Sequence, residues 1–220
     1  MNRHHRDAAP SRDSVGFNHA PQPTPRSAFV TEATANLVAG RNCDSCYMCC
    51  KLFEIPALAK PEGVWCTNCN LASGCTIYEA RPQECRDFFC HYRLDKDVPE
   101  HWKPNRSHMV LRATGDGVRI VAYVDPKRPM AWRGDPYYRD LKAWAANRLQ
   151  ADKQVHVRIG ARTIVVLPDR DVDLGDVGDK VILTRKSWTA QGPRFDFEVL
   201  ARDDPRAKAG AAPGIGLPQR

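Results

Sequence analysis

The chain has 220 residues, 33 Lys+Arg against 26 Asp+Glu, a formal net charge of +7, and 42% hydrophobic residues. That apolar content suffices for a folded core and excludes wholesale disorder. No run approaches the roughly 18 consecutive apolar residues of a transmembrane helix, and the basic first residues have no apolar run behind them, so neither a membrane span nor a secretory signal peptide is expected and the cytoplasm is the expected compartment.

In chain order, residues 1–40 read as a flexible tail carrying a short helix. Pro10, Pro21, Pro23 and Pro25 break up residues 1–27. Phe29, Ala33 and Leu37 then recur at helical spacing, and Gly40 closes the turn. Residues 41–104 hold all nine cysteines and read as a metal-binding module. The stretch 95–104, with Pro99 and Pro104, marks the boundary to a second unit over 105–201. Net charge changes there from −2 over 43–104 to +5 over 105–201. In the second unit, 109–112 and 118–124 flank Thr114-Gly115-Asp116-Gly117 as a hairpin. Pro136 opens a helix to about residue 150 with Tyr138, Leu141, Trp144, Ala145 and Leu149 on one stripe. Strands follow at 155–159, 162–167, 180–184 and 195–199, and residues 202–220 read as a second tail. The expected fold class is therefore α+β: a loop-rich cysteine module with short helices, plus a small mixed or antiparallel sheet with one packed helix.

The cysteines carry the chemistry. All nine fall within 48 residues, and an odd count without an export signal argues against a disulfide framework. Cys43-x-x-Cys46-x-x-Cys49-Cys50 opens the cluster. Two intervening residues let a tight turn aim both sulfurs at one ion. Cys43, Cys46 and Cys49 also match the first three positions of the bacterial ferredoxin run, but its fourth position is Phe53, so an iron–sulfur site would draw its fourth ligand from elsewhere. Adjacent side chains usually point apart, which sets Cys50 aside from Cys49. Cys66-x-x-Cys69 and Cys75 form a second group, with Gly63 and Gly74 available for tight turns. Cys85 lies in the first turn of a helix opened by Pro82, where free N–H groups lower a thiol pKa. Cys90 would sit about 140° from Cys85 on an ideal helix, so either the helix ends first or the two serve different places. A lone cysteine is more often a small buried apolar residue. Nine at paired spacings point to metal. Tyr78 and Phe88 are expected to shield the site, and Arg81 or Arg86 to donate to thiolate sulfur or to an acid such as Glu84.

The ordered set Cys43-x-x-Cys46-x-x-Cys49-Cys50, then Gly74-Cys75-x-Ile77-Tyr78-x-x-Arg81-Pro82-x-x-Cys85-Arg86-x-Phe88-x-Cys90, resembles the YkgJ-like (CxxCxxCC) family, described as a zinc- or iron-chelating domain. The resemblance covers residues 43–90 and implies metal chelation by these cysteines, with no reaction attached. Many members carry Gly after the second Cys, where this chain has Tyr47.

Other constellations fail. His91 follows Cys90 but reads as a surface residue. The acidic stretch 169–179 has Leu174 and Lys180 where a calcium loop needs Gly and Glu, so it reads as an acidic turn between strands. The bases of 105–201 are interspersed with acids, which argues against a nucleic-acid surface. The reading is a metal-binding protein that chelates zinc, iron or an iron–sulfur cluster through Cys43, Cys46, Cys49, Cys50, Cys66, Cys69, Cys75, Cys85 and Cys90. Cys43/Cys46 and Cys66/Cys69 are the two pairs expected to complete one closed site. In this reading the second unit can bind a protein partner; a metal-dependent or redox enzyme and a nucleic-acid-associated zinc protein stand as alternatives.

Overall fold

The protein is described by a computed structural model over residues 37–43, 45–114, 117–190 and 192–208. Residues 1–36 of the tail and helix expected over 1–40, most of the second tail, and the Gly115-Asp116 apex of the hairpin lie outside these residues. The fold is α+β. Short helices α1 (Met48–Leu52), α2 (Gln83–Asp87), α3 (His91–Leu94) and α4 (Pro104–Ser107) precede the main sheet, with a two-residue ladder of β1 (Cys69–Asn70) and β2 (Gly74–Cys75) among them. The main sheet contains β3 (Met109–Ala113), β4 (Arg119–Val124), β5 (Gln154–Ile159), β6 (Arg162–Val166) and β7 (Asp171–Asp176), in that spatial order. Only β4 and β5 run parallel. A parallel pair needs a crossover, and α5 (Tyr137–Leu149) supplies it. A separate hairpin, β8 (Val181–Thr189) with β9 (Gly192–Leu200), follows, and α6 (Pro205–Lys208) ends the described chain.

Every residue of β4 is buried, so both faces of the sheet are covered. Side chains alternate across a strand, and the two faces enter different cores. Leu111, Ile120, Ala122, Val124, Val155 and Val157 meet Leu141 and Ala145 of α5, together with Trp102 and Trp132. Val110, Val121 and Tyr123 meet Met48, Leu52 and Phe53, with Ile182 at the foot of the hairpin. The cysteine-bearing segment is therefore seated directly on the sheet. Trp102, from the proline-containing stretch between the two parts, is fully enclosed. Its indole N–H donates to Asp140 Oδ2 at 2.9 Å and its ring lies 4.9 Å from that of Trp144.

The acidic stretch is a strand and not the expected turn. β7 pairs antiparallel with β6, in spite of four carboxylates between 169 and 176 in its sequence neighbourhood that disfavour strand structure. Neighbouring cations neutralise it. Asp171 accepts from Tyr138 Oη at 2.9 Å, Lys142 Nζ at 2.8 Å and Arg133 at 2.8 Å, and Asp173 pairs with Arg162 across the ladder. As an edge strand, β7 also leaves its remaining acids in water.

One polar contact locks the cysteine segment to the sheet. Lys51 at the end of α1 and Asp125 just past β4 are both buried and form an ion pair. Burial alone would raise the Asp125 carboxyl, but hydrogen bonds from the Lys51 ammonium and the Lys127 amide outweigh it and hold the group below its ordinary range. Asp125→Asn should cost about 3–5 kcal/mol, because it strands a buried ammonium. Lys51→Met combined with Asp125→Leu should recover much of that loss. A carboxyl depressed in the folded state contributes stability above its unfolded value of roughly 4, lost as pH falls through the folded one. Denaturant melts of wild type between about pH 2 and 6 should show this decline, and Asp125→Asn should lack its share of it.

Candidate metal centre

Local hydrogen bonds fold the first cysteine run into a turn followed by a helix. The Cys46 amide donates to the Cys43 carbonyl at 2.6 Å, and the Cys50 amide to the Tyr47 carbonyl at 2.9 Å. The chain returns when the Cys66 amide donates to the Cys50 carbonyl at 3.0 Å. The Cys69 amide then reaches the Cys66 carbonyl at 3.0 Å, and β1 and β2 place Cys69 directly opposite Cys75. Gly63 and Gly74 take φ of 76° and 95°, the left-handed region that the turns require.

Cys90 reaches the first run by another route. The Cys85 amide donates to the Pro82 carbonyl, but α2 ends at Asp87 and Cys90 caps the start of α3, so the two cysteines leave the helix geometry that would have separated them on one cylinder. The Val38 amide donates to the Arg93 carbonyl at 2.9 Å, Arg93 Nε to the Arg41 carbonyl at 3.3 Å, and Arg93 Nη1 to Cys43 Sγ at 3.4 Å. The Arg41 guanidinium fastens the same strip by donating to the carbonyls of Asp95 at 2.8 Å and Val98 at 2.7 Å. Cys43 is thereby brought beside the start of α3.

Mutual charge effects sort the sulfurs into two neighbourhoods. Burial pushes the Cys90 thiol up to about 11, and the Cys43 and Cys46 sulfurs add to the rise. Burial likewise raises Cys46, against the pull of the Met48 and Asn105 amides. Cys49 is raised well above its ordinary value, first by its hydrogen bond to Cys50, then by burial and by the charges of Cys50, Cys43 and Cys46. In the second neighbourhood burial pushes Cys69 up to about 12, with Cys50, Cys66 and Cys75 contributing, and Cys85 up to about 11, with Cys50 and Cys66 contributing. The raised Cys85 reverses the expectation from its place in a helix start: desolvation and neighbouring thiolates outweigh the few free N–H groups of a five-residue helix.

Cys50 joins the two groups. Its sulfur accepts from Cys49 and then from Cys69, with Lys60 and Arg81 nearby, and it is lowered to about 7 despite burial. The expectation that Cys49 and Cys50 point apart is therefore overturned: both lie in the first turn of the short helix α1, and their thiols are hydrogen-bonded to each other. The pairing also differs from the sequence expectation. Cys43 and Cys46 lie with Cys49 and Cys90, whereas Cys66 and Cys69 lie with Cys50, Cys75 and Cys85. All nine cysteines are free thiols. Among the described residues no three Cys, His, Asp or Glu side chains converge closely enough, as they stand, to enclose an ion.

The flanking residues divide. Phe88 packs against Phe53 with ring centroids 4.8 Å apart, at the base of the cluster. Tyr78 is exposed and stacks under Arg81, so it does not shield the sulfurs. Arg81 Nε and Arg86 Nη2 donate to the carbonyls of Tyr78 and Glu79, not to Glu84. His91 faces Asp95 at 3.3 Å and burial lowers its pKa. Sequence reasoning gave no role to Lys60, which is buried and donates to the Lys51 carbonyl at 2.8 Å and to the Phe53 carbonyl. Nor did it find Arg41 and Arg93. A lysine within a run of apolar residues, as at Leu58-Ala59-Lys60-Pro61, was the available signal for the first. The arginines act across 50 or more residues and leave no local one.

Tyr47, at the position where the resembling family often carries Gly, covers Gly74. A Cβ built on Gly74 would meet the Tyr47 ring and hydroxyl at 3.3 Å, at a φ that L side chains rarely adopt. Gly74→Ala should destabilise the segment by about 1–2 kcal/mol. Tyr47→Ala in the same chain should remove the crowding component but not the φ component, so the pair should be less than additive in thermal melts.

Compared with known proteins, the chain matches no family model, no curated protein and no solved structure. No helix among the described residues is long and apolar enough to cross a membrane.

Proposed function

We propose that residues 43–90 chelate zinc or iron through two sets of thiolates: Cys43, Cys46, Cys49 and Cys90 in one, and Cys50, Cys66, Cys69, Cys75 and Cys85 in the other. The observation that carries this reading is the gathering of nine free thiols into two neighbourhoods, in which nearby sulfurs help raise Cys46, Cys49, Cys69, Cys85 and Cys90. Such crowding is unfavourable for thiolates alone and favourable around a soft or borderline cation. A bound ion would supply the positive charge that these thiolates lack. Lys60, Arg81 and Arg93 add compensating charge at the rim, through proximity to Cys50 and through the bond to Cys43. The resemblance to the YkgJ-like family falls on seven of these nine cysteines, all but Cys66 and Cys69. Four thiolates leave tetrahedral zinc no open position, so the reading is chelation or structural stabilisation and not catalysis at the ion.

A specific observation favours an iron–sulfur cluster as the second reading. Cys90 stands beside the Cys43-x-x-Cys46-x-x-Cys49 run, where it would supply the fourth ligand that Phe53 does not.

Anaerobic purification, elemental analysis and an absorption spectrum on one sample test the proposal. About two zinc ions per colourless chain is the expected result. Stoichiometric iron with acid-labile sulfide would select the second reading. Cys90→Ser should remove the metal of the first set and Cys69→Ser that of the second, each leaving the other. Nine titratable thiols, with no zinc or iron bound as purified and none taken up on addition, would overturn chelation. Because several thiols lie near 11–12 without metal, loading should release protons at neutral pH, and affinity should weaken on acidification.

A further inference from the structure

Away from the cysteines, α4 ends at His108 in the left-handed conformation, with φ of 57°. The Asp125 amide donates to the His108 carbonyl at 3.0 Å, which holds the start of β3 beside the loop that follows β4. That loop turns tightly, with the Arg128 amide on the Asp125 carbonyl at 2.7 Å and the Ala131 amide on the Arg128 carbonyl at 3.0 Å. Between the two lies a cleft of about 360 Å³ lined by Arg106, His108, Arg128, Pro129, Met130 and Tyr137, among others, with no carboxylate in the lining.

The polar and apolar parts of this cleft are separated. Arg106 has only a long contact to Glu100, at 3.9 Å, as an ion pair. The Arg128 side chain has no hydrogen bond or ion pair among the described residues, although most other arginines of the sheet domain are engaged. Burial and the Arg128 guanidinium keep His108 below its ordinary range, with Lys51 acting the same way and Asp125 opposing, so His108 is neutral at pH 7 and the positive charge belongs to the arginines. The opposite wall is apolar and fixed. Tyr137 is held edge-on by Trp102 at 5.1 Å and its hydroxyl donates to the His101 carbonyl at 3.2 Å. Met130 is 65% exposed beside it. Two guanidinium groups facing a rigid aromatic wall suit a ligand with a charged oxyanion head and a flat apolar body.

We propose that this cleft binds a small organic oxyanion, its phosphate or carboxylate held by Arg106 and Arg128 with His108, and its apolar body against Tyr137 and Met130. No thiol lines the site, and the proposal does not rest on metal chelation.

Amide NMR shifts of the full chain, titrated with phenyl phosphate, benzoate and inorganic phosphate, test it. Phenyl phosphate or benzoate should shift residues 106–108 and 128–131 saturably, and the tighter of the two identifies the head group. Arg128→Ala and Arg106→Ala should each weaken binding by about tenfold. Arg202→Ala, whose Nε contacts the distant Asp179 carbonyl, should leave binding unchanged. Both cleft arginines are exposed, so their variants should keep a dispersed spectrum. Absence of saturable shifts, full affinity in Arg128→Ala, or equal weakening by Arg202→Ala would overturn the site. Inorganic phosphate binding as tightly as phenyl phosphate would overturn the apolar half of the proposal.

Discussion

The buried pair of Lys51 and Asp125 is the contact on which the arrangement of the two halves depends. Lys51 follows Cys50 directly and Asp125 follows β4 directly, so one ion pair fixes the cysteine run against the central strand. The apolar contacts around it, from Leu52 and Phe53 to Val110, Val121 and Tyr123, supply the larger share of free energy at about 1.5–3 kcal/mol for each fully buried aliphatic or aromatic side chain. Such contacts tolerate sliding, whereas an ammonium and a carboxylate out of water do not. The pair thus sets register more than it adds stability. Lys60 extends the same logic by occupying the carbonyls of Lys51 and Phe53 that the five-residue helix leaves open.

A second constraint is the crowding of sulfur. Nine thiols in 48 residues cannot all be distant from one another once the segment is packed on a sheet. The chain handles this by routing. The ladder of β1 and β2 keeps Cys69 and Cys75 with Cys50, while Arg41 and Arg93 draw Cys43 towards Cys90. Cys49 and Cys50 fall between the two groups, and the hydrogen bond between them holds a proton on Cys49 and lowers Cys50.

The charge excess of the second half is distributed by pairing and gathers into no basic stripe. Arg133 and Lys142 meet Asp171, Arg162 meets Asp173, Arg185 meets Glu198, and Lys186 meets Asp152. Each exposed pair is worth at most about 1 kcal/mol, but those on Asp171 and Asp173 make an acidic edge strand compatible with the sheet.

Local patterning determined much by itself. The 3.6-residue stripe through Leu141 and Ala145 marks α5, because periodicity reflects which face is buried; the alternation in Val155-His156-Val157 marks β5 as a strand, although His156 is itself buried against Gln154 on the other covered face. The α+β class and the nine cysteines as the chemically distinctive residues were legible for the same reason. Three matters were decided only by tertiary structure. The acidic stretch 171–176 became a strand because Tyr138, Lys142 and Arg133, distant in sequence, neutralise Asp171. Cys85 became a high-pKa thiol because burial among other sulfurs outweighs a short helix start. The division of the cysteines into two neighbourhoods arose from contacts as distant as 50 residues, such as Arg93 on Cys43, and sequence spacing carries no information about contacts at that range.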